Sequence, residues 1–101
     1  MSDYYLVEYA QGPAWVADKR RQEQPGWHAH AAFMDNLVEG GFIVLGGPVG
    51  DLEGDQALLV VDARTEEEAR TRLATDPWVN GVLSIQSVRP WTVWLRRDQG
   101  R

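Results

Sequence analysis

Residues 27–48, with the sequence WHAHAAFMDNLVEGGFIVLGGP, decide the fold. At helical spacing one face of this stretch carries a stripe that would face the core: Trp27, His30, Ala31, Met34, Leu37 and Val38. The two glycines at 40–41 are typical of a left-handed helix cap, and a short β-rich run follows at 42–45. We therefore predict a helix over 27–39, a turn, and a strand that Gly46-Gly47-Pro48 stops.

The two histidines of this helix have different surroundings. His30 lies in the middle of the core-facing stripe, whereas His28 belongs to the opposite, solvated face, because residues i and i+2 do not share a helix face. This spacing also excludes a metal site made from both, since the useful helical spacing is i and i+4. His30 is either a structural histidine bonded to a carbonyl or a general base, because a neutral imidazole titrates near neutral pH.

The rest of the chain supplies three more strands and a second helix. Strands are predicted at 4–10, 56–62 and 82–88, the last one broken by Arg89-Pro90. The order β-α-β-β-α-β predicts an α+β, ferredoxin-like fold, with a four-stranded antiparallel sheet and two main helices on one face. The whole chain, 1–101, forms one domain, with a polar tail at 96–101.

Capping signals mark the second helix. Thr65 and Glu68 form a capping-box pattern at its start. Asp76 before Pro77 predicts a helix restart, with Asp76 as the N-cap. An N-cap uses one carboxylate oxygen, which leaves the other oxygen of Asp76 available for a second partner.

Strands that are apolar on both sides predict that a partner covers the second face of the sheet. With five tryptophans in the chain, we expect a homodimer, sheet against sheet. Trp78, Trp91 and Trp94 are either packing and dimer contacts or a cage for substrate. Glu8, a carboxylate within the first strand, is interpreted as a solvated residue of one face.

The connection at 11–26 is long and polar, with a predicted helical turn through 16–21. Loops of this length inside a compact domain are often functional. This one is predicted to cover a pocket, with Trp15 or Arg21 reaching in. Gly46-Gly47-Pro48 is either a plain strand end or a backbone wall of that pocket.

Composition excludes several classes of protein. The apolar fraction of 44%, charged fraction of 25% and net charge of -5 are typical of a globular domain without a nucleic-acid-binding surface. The absence of cysteine excludes disulfides, a thiolate nucleophile and a zinc–thiolate site. No apolar run approaches the ~18 residues of a membrane span, and no signal-peptide pattern opens the chain. We expect a cytoplasmic location.

Four short motifs together resemble the YCII-related family of the dimeric α+β barrel superfamily: His30, Gly47-Pro48, Asp76-Pro77-Trp78 and Val88-Arg89-Pro90-Trp91. The resemblance extends over 4–95. It implies dimerisation through the sheets into an α+β barrel, with further association of dimers left open. It also implies an active site built on a pair of His30 and Asp76, without a metal or an organic cofactor. A dehydrochlorinase of a chlorinated hydroxyhydroquinone supplies the best-defined chemistry in the family, and muconolactone isomerases share the barrel.

The leading hypothesis is a cofactor-independent enzyme, of the lyase or isomerase type, that acts on a small cyclic or aromatic compound. His30 would be the general base or acid and Asp76 would orient it, with Gly47, Pro48, Trp78 and Arg21 as substrate-binding residues. No G-x-S-x-G motif surrounds a serine, which favours proton transfer over acyl transfer. Two alternatives are a non-catalytic ligand-binding or accessory dimer, and a cofactor-free monooxygenase.

Overall fold

A computed structural model of the protein describes residues 3–50 and 56–97 and has the predicted β-α-β-β-α-β order. The strands and helices are β1 (Tyr4–Gln11), α1 (Trp27–Glu39), β2 (Ile43–Pro48), β3 (Gln56–Val61), α2 (Glu66–Leu73) and β4 (Leu83–Trp91). The α+β, ferredoxin-like fold is confirmed. No helix in the described ranges is long and apolar enough to cross a membrane, and the cytoplasmic location stays a prediction.

The four strands form one antiparallel sheet in the order β2-β3-β1-β4. Val7 of the central strand β1 lies opposite Leu59 on one side and Val88 on the other. Cross-strand partners point to the same face, so this face of the sheet is apolar across three strands. Both helices cover it: Ala69 and Leu73 of α2 are fully buried in the core, and the inner side of α1 packs beside them.

Helix α1 has the predicted bounds, and two glycines set its ends. Gly41 has a φ of 85°, and the N–H groups of Gly41 and Phe42 donate to the carbonyls of Val38 and Leu37, which is a Schellman cap. The predicted stripe faces inward except for Val38, which is 52% exposed. At the other end Gly26 is the N-cap, with a left-handed φ of 82°.

Both edge strands run further than we predicted. Gly46-Gly47-Pro48 does not stop β2 but forms its second half, and β4 continues through Arg89-Pro90 to Trp91. The reason is their position: an edge strand pairs on one side only, so a proline without an N–H is tolerated there. Gly46 is required for a different reason, because a Cβ atom would lie 2.8 Å from the carbonyl oxygen of Leu58.

Three local predictions were wrong in detail. No helix restarts at Asp76: the segment is a turn, because Asn80 takes a left-handed φ of 66° and ends it. The helical turn of the first loop is a short 3-10 helix at Arg21–Glu23 rather than at 16–21. Thr65 caps α2 by accepting the Glu68 N–H, but the Glu68 carboxylate accepts the N–H of Arg64 instead of closing the capping box.

The second face of the sheet is partly covered in the single chain, where Val60 is buried and Arg96 lies over the ring of Tyr4. Leu45 of β2 and Trp91 of β4 lie on it, 64% and 43% exposed. Glu8 also lies there, but it is paired rather than simply solvated: Ser87 donates its hydroxyl to the Glu8 carboxylate, and Arg89 lies 2.9 Å from it. The Ser87 hydrogen bond, helped by Arg89 and opposed by partial burial, holds the pKa of the Glu8 carboxyl below its usual value.

Candidate active site

The candidate site is centred on His30, in the first turns of α1. The backbone N–H of His30 donates to the Gly26 carbonyl, so the histidine sits one turn after the helix start. Its side chain is only 11% exposed, whereas His28 points to solvent as predicted. A buried imidazole needs hydrogen-bond partners, because an unpaired polar group costs free energy in the interior.

Asp76 provides that partner from the turn after α2. Nδ1 of His30 lies 2.9 Å from each carboxylate oxygen of Asp76, across 46 residues of sequence. The Asp76 side chain is completely buried, and its Oδ1 also accepts the backbone N–H of Trp78 at 2.9 Å. A carboxylate can only accept, so the proton of the contact belongs to Nδ1 of the imidazole. No described residue hydrogen-bonds the second ring nitrogen, Nε2, which is therefore left as an acceptor.

Two tryptophans enclose the imidazole. The ring of Trp78 stacks on His30 with a centroid distance of 4.1 Å and an interplanar angle of 8°, and Trp27 lies 5.7 Å from Trp78. Trp78 is 1% exposed and donates its indole N–H to the carbonyl of Pro25 at 2.7 Å. The Asp76 bond thus fixes the direction of the imidazole, and the stack fixes its plane.

A cavity of about 620 Å³ opens beside His30, between α1 and the strands β2 and β3. This is the size of a small-ligand site. Ala31 and Met34 of α1 face Ile43 and Leu59 of the sheet across it, so the wall is largely apolar. Its lining includes both Val38, which is exposed, and His30, which is buried, so the cavity extends from the surface to the histidine.

The predicted substrate-binding residues fall into two groups. Gly47, Pro48 and Arg21 line the cavity. Trp78 is not among the described residues that line it, because it lies behind the His30 ring. Trp94, also considered for a substrate cage, is 85% exposed in the segment after β4.

The first loop brings Arg21 to the cavity because Gln24 anchors it. The buried amide of Gln24 accepts the Val16 N–H at 2.8 Å and donates to the carbonyls of Val16 and Lys19, both at 2.9 Å. Arg21 also lies over the ring of Trp15, 5.3 Å from its centroid. We predicted that Trp15 or Arg21 would reach from this loop into the cavity. Of the two, Arg21 lines the cavity and Trp15 does not.

Sequence reasoning missed Tyr9. It lies in β1 on the helix-covered face, lines the cavity and is 2% exposed. Burial, together with the nearby Asp76 carboxylate, raises the pKa of the Tyr9 hydroxyl far above its usual value. The available signal was strand alternation, which puts Tyr9 on the same face as Val7, but an aromatic residue at such a position is normally core packing.

No cluster of three or more metal-ligating side chains occurs in the described part of the chain. The expectation of a site without metal or organic cofactor stays a prediction.

A family model for the YCII-related domain matches residues 4–92. Comparisons with curated proteins and with solved structures found no match. The match covers most of the chain, and the chain belongs to the YCII-related family.

Proposed function

We propose that this YCII-related protein is a cofactor-independent enzyme that moves a proton on a small cyclic or aromatic compound. One observation carries the proposal: a histidine held by a buried carboxylate lines an apolar cavity of ligand size. Perturbed or paired titratable groups inside a cleft are typical of general acid–base sites.

The roles follow from the hydrogen bonds. Because the His30 Nδ1–H donates to Asp76, Nε2 is the basic nitrogen and takes a proton from a substrate carbon. The electron pair of the broken C–H bond forms a C=C bond, and either a carbonyl π pair moves onto its oxygen or a leaving group departs with the electron pair of its own bond. Asp76 stabilises the imidazolium that forms, and the Trp78 ring, stacked at 4.1 Å, does so through its π face. Returning the proton to a different carbon gives isomerisation, and expelling an anion gives elimination.

Acyl transfer is less well supported. Among the described residues that line the cavity there is no serine or threonine to act as a nucleophile beside His30. The polar side chains there are those of Tyr9, Arg21, His30 and Asp35. These can bind, orient and move protons, which favours proton transfer.

The test uses solvent exchange, since deuterium uptake reveals proton abstraction whatever the product is. A panel of cyclic ketones, unsaturated lactones and chlorinated hydroquinones is incubated with the protein in D2O, and deuterium incorporation or product formation is followed by NMR. We expect His30→Gln and Asp76→Asn to abolish exchange that the wild type catalyses. His28→Gln is the matched control, an exposed histidine on the same helix, and should retain full activity.

Failure of the wild type to exchange or convert any compound that it binds would favour the ligand-binding alternative. Oxygen uptake with a hydroquinone would favour the monooxygenase. Unchanged turnover in His30→Gln would refute the assigned roles.

We further propose that a second copy of the chain covers the rest of the second face of the sheet. The exposed apolar side chains of Leu45 and Trp91, at the two edges of that face, support it, because association would remove them from water. Trp91→Glu should convert a dimer to a monomer in analytical ultracentrifugation. Ala32→Glu, on the exposed side of α1, should leave the mass unchanged. A wild-type monomer at every concentration tested would refute the dimer.

A further inference from the structure

The hydroxyl of Tyr9 is a buried polar group without a hydrogen-bond partner among the described residues. Its residue is 2% exposed and belongs to the wall of the cavity beside His30. Buried hydroxyl groups are normally paired, because desolvation without a hydrogen bond destabilises the fold. An unpaired one in a cavity wall indicates a partner that arrives with a ligand.

The carboxylate that acts on the Tyr9 hydroxyl, that of Asp76, already accepts from His30 and from the Trp78 N–H. The raised pKa of Tyr9 keeps it protonated well beyond neutral pH, so it acts as a donor and not as a base.

Tyr9 and His30 therefore present complementary groups to one cavity. Tyr9 offers an O–H donor, Nε2 of His30 offers an acceptor, and the surrounding wall of Met34, Ile43 and Leu59 is apolar. A ring compound with one oxygen acceptor next to an acidic C–H bond fits these three features.

We infer that Tyr9 donates a hydrogen bond to a carbonyl oxygen of the ligand, and that the substrates are cyclic ketones or lactones that react through their enolates. This inference rests on the proposed function for the role of His30. When Nε2 takes the proton from the carbon next to the carbonyl, the C–H electron pair forms the C=C bond. The carbonyl π pair moves to oxygen, where the Tyr9 O–H stabilises the negative charge. Where the ring also holds a conjugated C=C bond, return of the proton to the far carbon of that bond completes an isomerisation without any co-reactant.

Binding of an enolate mimic tests the inference without turnover. The probe is 4-nitrophenolate, a planar ring with an anionic oxygen, and its partner probe is 4-nitrotoluene, in which a methyl group replaces that oxygen. Dissociation constants are measured by quenching of tryptophan fluorescence, at a pH above the pKa of the phenol. Tyr9→Phe is compared with Tyr5→Phe, which changes a tyrosine on the same face of β1 that does not line the cavity.

We expect Tyr9→Phe to weaken 4-nitrophenolate binding about tenfold or more, as for hydrogen bonds to charged groups. It should change 4-nitrotoluene binding by less than about twofold, and Tyr5→Phe should change neither. Equal weakening of both probes, no change for either, or no wild-type preference for the phenolate would each overturn the inference.

Thermal stability provides a second readout. If the hydroxyl has no partner in the free protein, Tyr9→Phe removes an unpaired polar group and should melt no lower than the wild type. A melting temperature several degrees lower would mean that the hydroxyl is paired without ligand, for example by an internal water, and would overturn the inference. Selective loss of phenolate binding in a protein that exchanges no protons would uphold Tyr9 while refuting the catalytic proposal, so the two failures are distinguishable.

Discussion

Replacing Asp76 by alanine tests the central contact of the site through stability alone. The substitution leaves two buried donors without an acceptor, the Nδ1–H of His30 and the backbone N–H of Trp78. At about 1–3 kcal/mol for each unpaired donor, the free energy of unfolding should fall by about 2–6 kcal/mol. For a domain of this size 1 kcal/mol corresponds to about 4–8 °C, so the melting temperature should fall by at least about 8 °C.

A double-mutant cycle isolates the pair from the rest of the site. His30→Ala alone leaves the buried carboxylate with only the Trp78 N–H, and should cost about 3–5 kcal/mol, the usual effect of breaking a buried pair. In the double variant His30→Ala/Asp76→Ala only one donor remains unpaired. The double variant should therefore lose less stability than the sum of the single variants, by about 1–3 kcal/mol.

The assay is urea unfolding followed by circular dichroism and tryptophan fluorescence, at one fixed protein concentration so that association does not enter the comparison. Thr65→Ala is the control, because Thr65 accepts an exposed N–H at the start of α2 and shares no partner with the pair. It should cost about 1 kcal/mol and add independently to Asp76→Ala. Single-variant costs that sum to within about 0.5 kcal/mol of the double-variant cost would refute the coupling.

Three further substitutions test the surroundings of the site. Gly26→Ala should lower the free energy of unfolding by about 1–2 kcal/mol, because Gly26 has a left-handed φ of 82°. The control Gly40→Ala, at a right-handed φ of -79°, should be neutral or stabilising. Denaturant titration measures the free energy of unfolding of both variants. Because the pKa of Glu8 is lower in the folded state, its contribution is present above the ordinary value of 4.5 and is lost as the pH falls through the folded value. The stability of Glu8→Gln should therefore fall less steeply below pH 4.5 than that of wild type, and parallel pH curves would contradict this. Gln24→Ala removes three hydrogen bonds, at about 0.5–1.5 kcal/mol each. Amide hydrogen exchange should become faster in the loop that carries Arg21 and stay unchanged in β4. Unchanged exchange in the loop would show that Gln24 does not anchor it.

Helical periodicity, residue composition and turn signals together were sufficient for α1 and for the order of strands and helices. The bounds of α1 agree with the prediction because an amphipathic stripe and a pair of glycines act together over thirteen residues. Local chemistry was insufficient where tertiary position decides. Pro48 is the last residue of β2 and Pro90 lies inside β4, and both are tolerated because these strands are sheet edges. The residues of a strand do not by themselves show whether it lies at an edge.

The residues of the candidate site also differ in how far the sequence could identify them. His30 could be identified as a polar residue within an apolar stripe, but spacing says nothing about a partner 46 residues away, and Asp76 was paired with it only through the family resemblance. Strand alternation could place Tyr9 on the core face of β1 but could not identify it as a site residue. From sequence, a tyrosine in a strand is interpreted as core packing. Only the structure shows that the Tyr9 hydroxyl is buried without a hydrogen-bond partner and that the residue lines a cavity.

The turn at 76–78 holds the imidazole by two independent constraints. Asp76 accepts both the Nδ1–H of His30 and the backbone N–H of Trp78, so the carboxylate and the indole are fixed relative to each other by a single short turn. The indole N–H then bonds Pro25, next to the residue that caps α1, which links the turn back to the helix that carries His30. One constraint sets the direction of the Nδ1–H bond and the other sets the plane of the ring. Because both are made before any ligand binds, His30 needs little reorganisation to accept a proton, which is the property that preorganised sites use to lower a barrier.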